Sequence, residues 1–345
     1  MRIICLEEHV NDPAVAAATR NASSVESPYS RGLCSHFVDD PGAEPADRPR
    51  LLAIPKAMQI GAQSLEARIA AMGAAGIDMH VLSLCNELQL ADSSSSVALC
   101  RDVNNRLAAA VARYPGRFSG FFALPWQDPV AAVREAARCV NELGLPATLI
   151  LGRPAADVFL DDARFDPVLA ELARLDAPLY VHPGPPMRVV QQAYYAGFND
   201  EISARLPLFG WGWHNEAGVQ TIRLILSGAL DRHRRLKLIS GHWGEMVPFF
   251  LQRMDDTMPP AATGLERTIS QIYREQVWVT PSGMLGVPHF MFIREVLGIE
   301  HILFSVDYPF LTMTGARSWL ESLPIAEPEK AALAHANAQR LLHIA

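Results

Sequence analysis

Short, nearly continuous apolar runs recur along the chain, and between them lie longer stretches whose apolar positions return every three or four residues. Runs of the first kind predict strands buried on both faces, as in a parallel sheet; stretches of the second kind predict amphipathic helices. The predicted strands are Ile3–Leu6 and residues 77–83, 118–123, 147–151, 177–182, 236–240, 276–280 and 301–305. The predicted helices cover residues 64–76, 97–113, 129–143, 165–174, 215–227, 245–256, 288–297 and 328–342, with Gly76 and Gly144 as stop signals. Two connections are too long for ordinary turns. Residues 10–62 are rich in Pro, Asp and Arg, and residues 183–214 contain Pro183-Gly184-Pro185-Pro186, Trp211, Trp213 and His214. Segments of that length are expected to cover a site or a subunit contact.

Eight strands, each followed by a helix, predict an α/β fold: a (β/α)8 TIM barrel formed by one domain over residues 1–345, with long loop insertions after strands 1 and 5. An open doubly wound sheet gives the same alternation. However, no strand is followed by Gly-x-Gly-x-x-Gly, which removes the main reason to expect a dinucleotide-binding sheet.

Composition narrows the function classes. The net charge is −7, the only lysines are Lys56, Lys237 and Lys330, and there is no basic run, so nucleic acid is not an expected partner. No apolar stretch is long enough to span a bilayer, and Glu7 and Glu8 interrupt the first apolar segment where a signal peptide would continue; a soluble, cytoplasmic protein is expected. Cys5, Cys34, Cys85, Cys100 and Cys139 are odd in number and lack a Cys-x-x-Cys pair. Reduced core thiols fit that pattern better than disulfides or a zinc cluster.

Active sites of (β/α)8 barrels lie at the C-terminal ends of the strands. Glu7 and His9 close strand 1, His182 closes strand 5, His242 follows strand 6 and Asp307 follows strand 8. Glu7 and His9 are two apart, so on an extended chain they point the same way. Each residue has a local alternative: a solvated strand end, a buried histidine bonded to a loop carbonyl, a helix N-terminus with Glu245 favouring its dipole, a turn aspartate before proline. Together they read as ligands of one divalent metal. His80 is expected in the core, and His36, His233, His289, His301, His335 and His343 have no matching partners in sequence.

The residues around these positions carry a resemblance. Leu6-Glu7-Glu8-His9, Tyr114-Pro115-Gly116-Arg117-Phe118, His182-Pro183-Gly184-Pro185-Pro186, Gly241-His242-Trp243-Gly244-Glu245 and Ser305-Val306-Asp307-Tyr308-Pro309-Phe310 occur in this order almost end to end. The chain resembles the decarboxylase branch of the amidohydrolase superfamily, which includes 2-amino-3-carboxymuconate-6-semialdehyde, γ-resorcylate and 2,3-dihydroxybenzoate decarboxylases. Glu-x-His on strand 1 is similar to the hydroxybenzoate enzymes.

The resemblance implies that Glu7, His9, His182 and Asp307 ligate one metal. Two imidazoles and two carboxylates suit either Zn²⁺ or Mn²⁺, and no organic cofactor is expected. Strand 4 ends Leu149-Ile150-Leu151-Gly152-Arg153, without the lysine that binuclear relatives carboxylate. The implied reaction is non-oxidative loss of CO2 from a 2-hydroxybenzoate-type acid, with Asp307, or His242 paired with Glu245, as proton donor. The competing reading is a hydrolase or hydratase with metal-bound water as nucleophile and His242 as its base. Arg253, three helical turns past His242, is placed by the resemblance at a substrate carboxylate, sometimes that of a neighbouring subunit; a homodimer or homotetramer is implied. Arg153 offers a second anion contact, and Trp243, Tyr308, Phe310, Trp211 and Trp213 are candidate walls for a flat ring. The sequence departs from the branch after His9 and after strand 4, both beside the expected pocket.

Overall fold

In the computed structural model, residues 1–30 and 65–345 are described. The apolar runs pair as parallel strands in chain order: β1 Ile4–Val10, β2 Met79–Leu84, β3 Phe118–Phe122, β4 Ala147–Leu151, β5 Leu179–His182, β6 Leu238–Ser240 and β7 Val277–Val279. The eighth run, expected as a regular strand over 301–305, makes only isolated parallel bridges, Val279 to Ile302 and Leu6 to Ser305. Leu303 N–H donates to the Val279 carbonyl and Leu6 N–H to that of Phe304, both at 2.8 Å, so this segment sits between β7 and β1. The curled sheet with its helices is consistent with a TIM-like (β/α)8 fold.

Side-chain parity explains why the runs are almost wholly apolar. Ile4, Leu6, Val81, Phe121, Leu149, Tyr180, Ile239 and Leu303 form one buried cluster. Their neighbours Ile3, Cys5, Leu82, Phe122, Ile150, Val181, Leu238 and Phe304 join another, which contains the helix residues. Alternate residues of each strand therefore face opposite apolar layers, and neither face tolerates charge.

The helices are α1 Pro13–Glu26, α2 Leu65–Ala75, α3 Ser93–Arg113, α4 Pro129–Asn141, α5 Asp166–Leu175, α6 Gly212–Leu226, α7 Val247–Thr257, α8 Ile269–Gln276 and α9 Val287–Leu297, besides shorter turns and a helical C-terminal segment over 327–342. Three differences from the sequence reading stand out. The stretch expected as a loop from residue 10 begins with α1, started by Pro13 and capped by the Asp12 side chain; its remainder, 31–62, lies outside the described residues, as do Cys34 and His36. Residues 183–214 are broken into short helical turns. The unassigned stretch before β7 holds α8, whose Thr268 and Gln271 form a reciprocal capping box.

Candidate metal centre and active site

Glu7 and His9 reach the site through an irregularity in β1. Ile4 and Leu6 face the inner layer, so an unbroken strand would next turn Glu8 inward. Instead the β1–β2 register shifts between Cys5 and Glu8, and Glu7 takes a left-handed φ of 64°. A one-residue slip exchanges the faces of a strand. Glu7 and His9 therefore point inward, while Glu8 joins Cys5 and His80. The Glu8 carboxylate accepts from Val306 N–H at 2.9 Å and Tyr308 N–H at 3.0 Å. Arg68 Nη1 lies 3.3 Å from His80 Nδ1, and His80 is fully buried, in the core as the sequence reading expected.

Four ligand atoms meet at the centre. Glu7 Oε1, His9 Nε2, His182 Nε2 and Asp307 Oδ1 are buried, and each lacks a hydrogen-bond partner. One ligand atom from each of these residues falls within a 4.8 Å group. His9 Nε2 is 3.1 Å from Asp307 Oδ1, and His182 Nε2 is 3.3 Å from Glu7 Oε1. Leaving four buried polar atoms unpaired would be costly in an apolar interior; a divalent cation bound by all four removes that cost, so the residues fit the implied metal.

The far sides of three of the ligands are held. His182 Nδ1 donates to the Pro183 carbonyl at 2.8 Å, which leaves the Nε2 lone pair facing the centre. Burial, with His9 and His242 adding, keeps His182 well below the ordinary histidine pKa and hence neutral, as a ligand must be. His9 Nδ1 pairs with Ser83 Oγ at 2.9 Å. Glu7 Oε2 accepts from Thr280 Oγ1 and Ser305 Oγ, each at 3.2 Å, and more closely from Ser282 Oγ.

Beside the ligands, His242 Nδ1 lies 2.7 Å from Glu245 Oε1, and His214 Nδ1 lies 2.9 Å from Glu245 Oε2. One buried carboxylate thus spans two imidazoles whose ring centres are 4.4 Å apart. Burial opposes charge on His242 most strongly, but Glu245, Glu7 and Asp307 outweigh it and raise its pKa to about 9. Glu245 is itself shifted down, because both histidines oppose its desolvation. The Glu245 contact thus favours the charged form of His242.

His214 is the functional neighbour that sequence reasoning missed. It lies on α6, and its partner Glu245 is 31 residues further on. The available signal was its place in the aromatic segment 211–214 that closes the long connection after β5.

A cavity of about 330 Å³ opens over these groups. His9, His182, Asp307, His242 and His214 line one part, with Phe310 and Trp213 beside the ligand rings. Several expected wall residues are elsewhere. Trp243 packs on Phe290 and Trp319, and its Nε1 donates to the Met284 carbonyl. Its φ of 61° lies within a run of left-handed residues, His242 to Met246, that swings it away from the cavity. Tyr308 is buried under the Arg68 guanidinium. Trp211 is exposed and does not line the cavity.

The two arginines also differ from expectation within this chain. Arg253 is exposed on α7 and does not reach the cavity. Arg153 is buried and committed to the protein: it donates to Glu216, to Pro185 O at 2.9 Å and to Ala156 O at 2.8 Å, and lies 3.8 Å from Glu26. Its guanidinium neutralises buried carboxylates and is not available as an anion contact.

Sequence comparison supplies the class. The profile of the family described as Amidohydrolase matches residues 36–344, and the chain belongs to that family. It is 33% identical over 292 residues to the γ-resorcylate decarboxylase of Polaromonas sp. strain JS666, covering 80% of this chain and 86% of that one. It is 32% identical over 287 residues to the decarboxylase orsB of Emericella nidulans, covering 81% and 85%. A crystal structure of the dihydroxybenzoic acid decarboxylase of Polaromonas sp. JS666, with bound manganese and the inhibitor 2-nitroresorcinol, superposes with a TM-score of 0.82 at 30% identity, over 99% of this chain and 97% of that one.

Proposed function

We propose that this protein is a metal-dependent, non-oxidative decarboxylase of a 2-hydroxybenzoate-type acid, a carbon–carbon lyase. The observation that carries the reading is the set of four unpartnered buried atoms on Glu7, His9, His182 and Asp307 beside the His242–Glu245 pair and a cavity of single-ring size. One Zn²⁺ or Mn²⁺ bound there would draw in the phenolate and carboxylate of the substrate and neutralise the phenolate charge. Phe310 and Trp213 flank the ligand imidazoles and hold the ring flat and dry.

Two groups on the rim can deliver the proton to the ring carbon that bears the carboxylate: His242, charged through Glu245, and Asp307 across the centre. The new C–H bond uses a ring electron pair. The C–C bond to the carboxylate then breaks, its pair restores the aromatic ring, and CO2 leaves, so one proton is consumed and no oxidant or organic cofactor is required. A positioned donor of this kind contributes roughly 10²–10⁴ in rate.

The chain is one (β/α)8 barrel domain over residues 1–345, acts in the cytoplasm and forms a homodimer or homotetramer. Arg253 is supported as a contact to a neighbour's substrate by its exposure on α7, a helix that also exposes Phe249 and Phe250.

Protein reconstituted with Zn²⁺ or Mn²⁺ and assayed for CO2 release over a panel of hydroxybenzoates tests the proposal, with Asp307→Asn as the control. Release that disappears in the folded variant is expected. A product that has gained water and kept its carboxylate overturns it in favour of hydrolysis or hydration.

A further inference from the structure

Glu245 carries a different imidazole on each oxygen of a buried carboxylate. Oε1 accepts from His242 Nδ1 at 2.7 Å and Oε2 from His214 Nδ1 at 2.9 Å. A carboxylate only accepts, so both Nδ1 atoms carry protons and each bond has a fixed direction. His214 Nε2 meets a donor, the Trp213 indole N–H at 3.1 Å, and an acceptor, the Phe209 carbonyl at 3.2 Å. A neutral His214 accepts from the first and a charged one donates to the second. In either state its Nδ1–H stays on Glu245. His214 reaches the carboxylate from the first turn of α6, and one turn later the same helix face carries Gly218. A Cβ on Gly218 would lie 2.7 Å from the Glu245 carbonyl oxygen and 3.7 Å from Glu245 Cβ. Glycine destabilises a helix interior relative to alanine; here it lets α6 close on the turn that carries Glu245. That turn, His242 to Met246, holds left-handed φ values of 46° to 83°, so no regular helix orients its side chains.

Building on the decarboxylase reading, we infer that α6 clamps the His242–Glu245 pair, with His214 as the positioning residue and Gly218 as the seat that brings the helix within reach. His214 makes and breaks no bond of the substrate; it acts through Glu245 on His242, which lines the cavity. Without the His214 Nδ1–H, one oxygen of a buried carboxylate loses its donor, and the group turns to find another. The His242 ring then loses its fixed plane. A misplacement on the order of 1 Å costs up to about 10²-fold in rate.

The test compares His214→Phe, which keeps a ring of similar size and removes both nitrogens, with His214→Asn, which puts an amide donor where Nδ1 stood and removes the ring. The full chains are loaded with Zn²⁺ or Mn²⁺, bound metal is counted by elemental analysis, and kcat and KM are read from CO2 release over hydroxybenzoates. His214→Phe is expected to lower kcat about ten- to a hundredfold with KM and metal content unchanged, and His214→Asn to restore most of the rate. A role in packing alone gives the opposite order. That order, or no difference between the two variants, overturns the inference. Gly218→Ala leaves the side chains of the pair intact and is expected to lower kcat by pushing α6 off Glu245; wild-type kcat in it also counts as refutation. Crystal structures of the Zn²⁺-loaded forms read the Glu245 carboxylate independently of turnover. A carboxylate turned in His214→Phe, with no CO2 from the wild type, removes the decarboxylase reading and keeps the clamp. A carboxylate unmoved in that variant, with CO2 released by the wild type, removes the clamp and keeps the decarboxylase reading.

Discussion

Ser282→Ala tests whether the hydroxyl cradle around Glu7 tunes the metal centre. In the native chain Glu7 Oε2 accepts three hydroxyls, and the closest belongs to Ser282, which also accepts the His242 N–H. The alanine variant keeps the Cβ, and so adds no strain at the left-handed φ of 45° that Ser282 occupies. It removes one hydrogen bond to a buried carboxylate, a loss of about 1.5–3 kcal/mol. At 1.4 kcal/mol per factor of ten this corresponds to metal binding weaker by roughly ten- to a hundredfold, the range typical for partners that orient a metal ligand. Thr280→Val removes a longer contact, 3.2 Å, from the same oxygen and is expected to cost less. Competition for Mn²⁺ against a chelator of known affinity measures both, with a thermal melt of the metal-free protein as the folding control. An Ser282→Ala variant that binds Mn²⁺ as tightly as wild type, or a Thr280→Val variant weaker than it, refutes the reasoning.

Two further substitutions address the proton donor and the Glu87 carboxyl beside Glu26 and Arg153. Glu245→Gln removes the charge that sustains the His242 proton and is expected to lower kcat by roughly 10²–10⁴ while bound metal, measured by elemental analysis, is unchanged; wild-type kcat in this variant would exclude the His242–Glu245 pair. Burial, with Glu26 adding and Ser23 and Arg153 opposing, pushes the Glu87 carboxyl from 4.5 to about 7. A carboxyl raised in the folded state binds a proton that the unfolded chain has released, so its contribution to stability falls as pH rises from about 4.5 through 7 and is constant above. The loss is on the order of 3 kcal/mol at 1.36 kcal/mol per pKa unit. Urea melts at pH 5 and pH 8 should show Glu87→Gln losing this part of the decline; an unchanged pH slope would count against it.

Much of the site was legible because the fold exposes it at strand ends. Ala147–Leu151 reads as a strand from Ala147, Leu149, Ile150 and Leu151 with only the β-branched Thr148 between them, and is one. His182 and Asp307 stand out because each ends such a run with a polar group that a double-faced sheet does not accommodate. What sequence could not convey was direction. The face shared by Glu7 and His9 is turned inward by a register shift that nothing in Leu6-Glu7-Glu8-His9 announces. Trp243 and Tyr308 adjoin site residues in sequence yet pack elsewhere, because the backbone around them turns through left-handed conformations. Arg153 read as a free cation because its partners Glu26 and Glu216 lie 127 and 63 residues away in sequence, a separation no local pattern spans. His214 was hidden for the same reason. The eighth run lacked a regular ladder, so strand character deduced from apolarity overstated its hydrogen bonding.

Glu7, His242, Glu245, Ser282 and Asp307 all hold φ values between 45° and 66°, where an L side chain is strained and glycine is not. Glycine at any of these positions would relax the backbone and erase the working group in the same step. Directed evolution for heat tolerance alone would therefore tend to dismantle this rim one position at a time. A scaffold designer who restricts backbones to extended and right-handed torsions could reproduce the barrel and never draw the site. Transplanting the chemistry to another protein requires copying these torsions along with the side chains they carry.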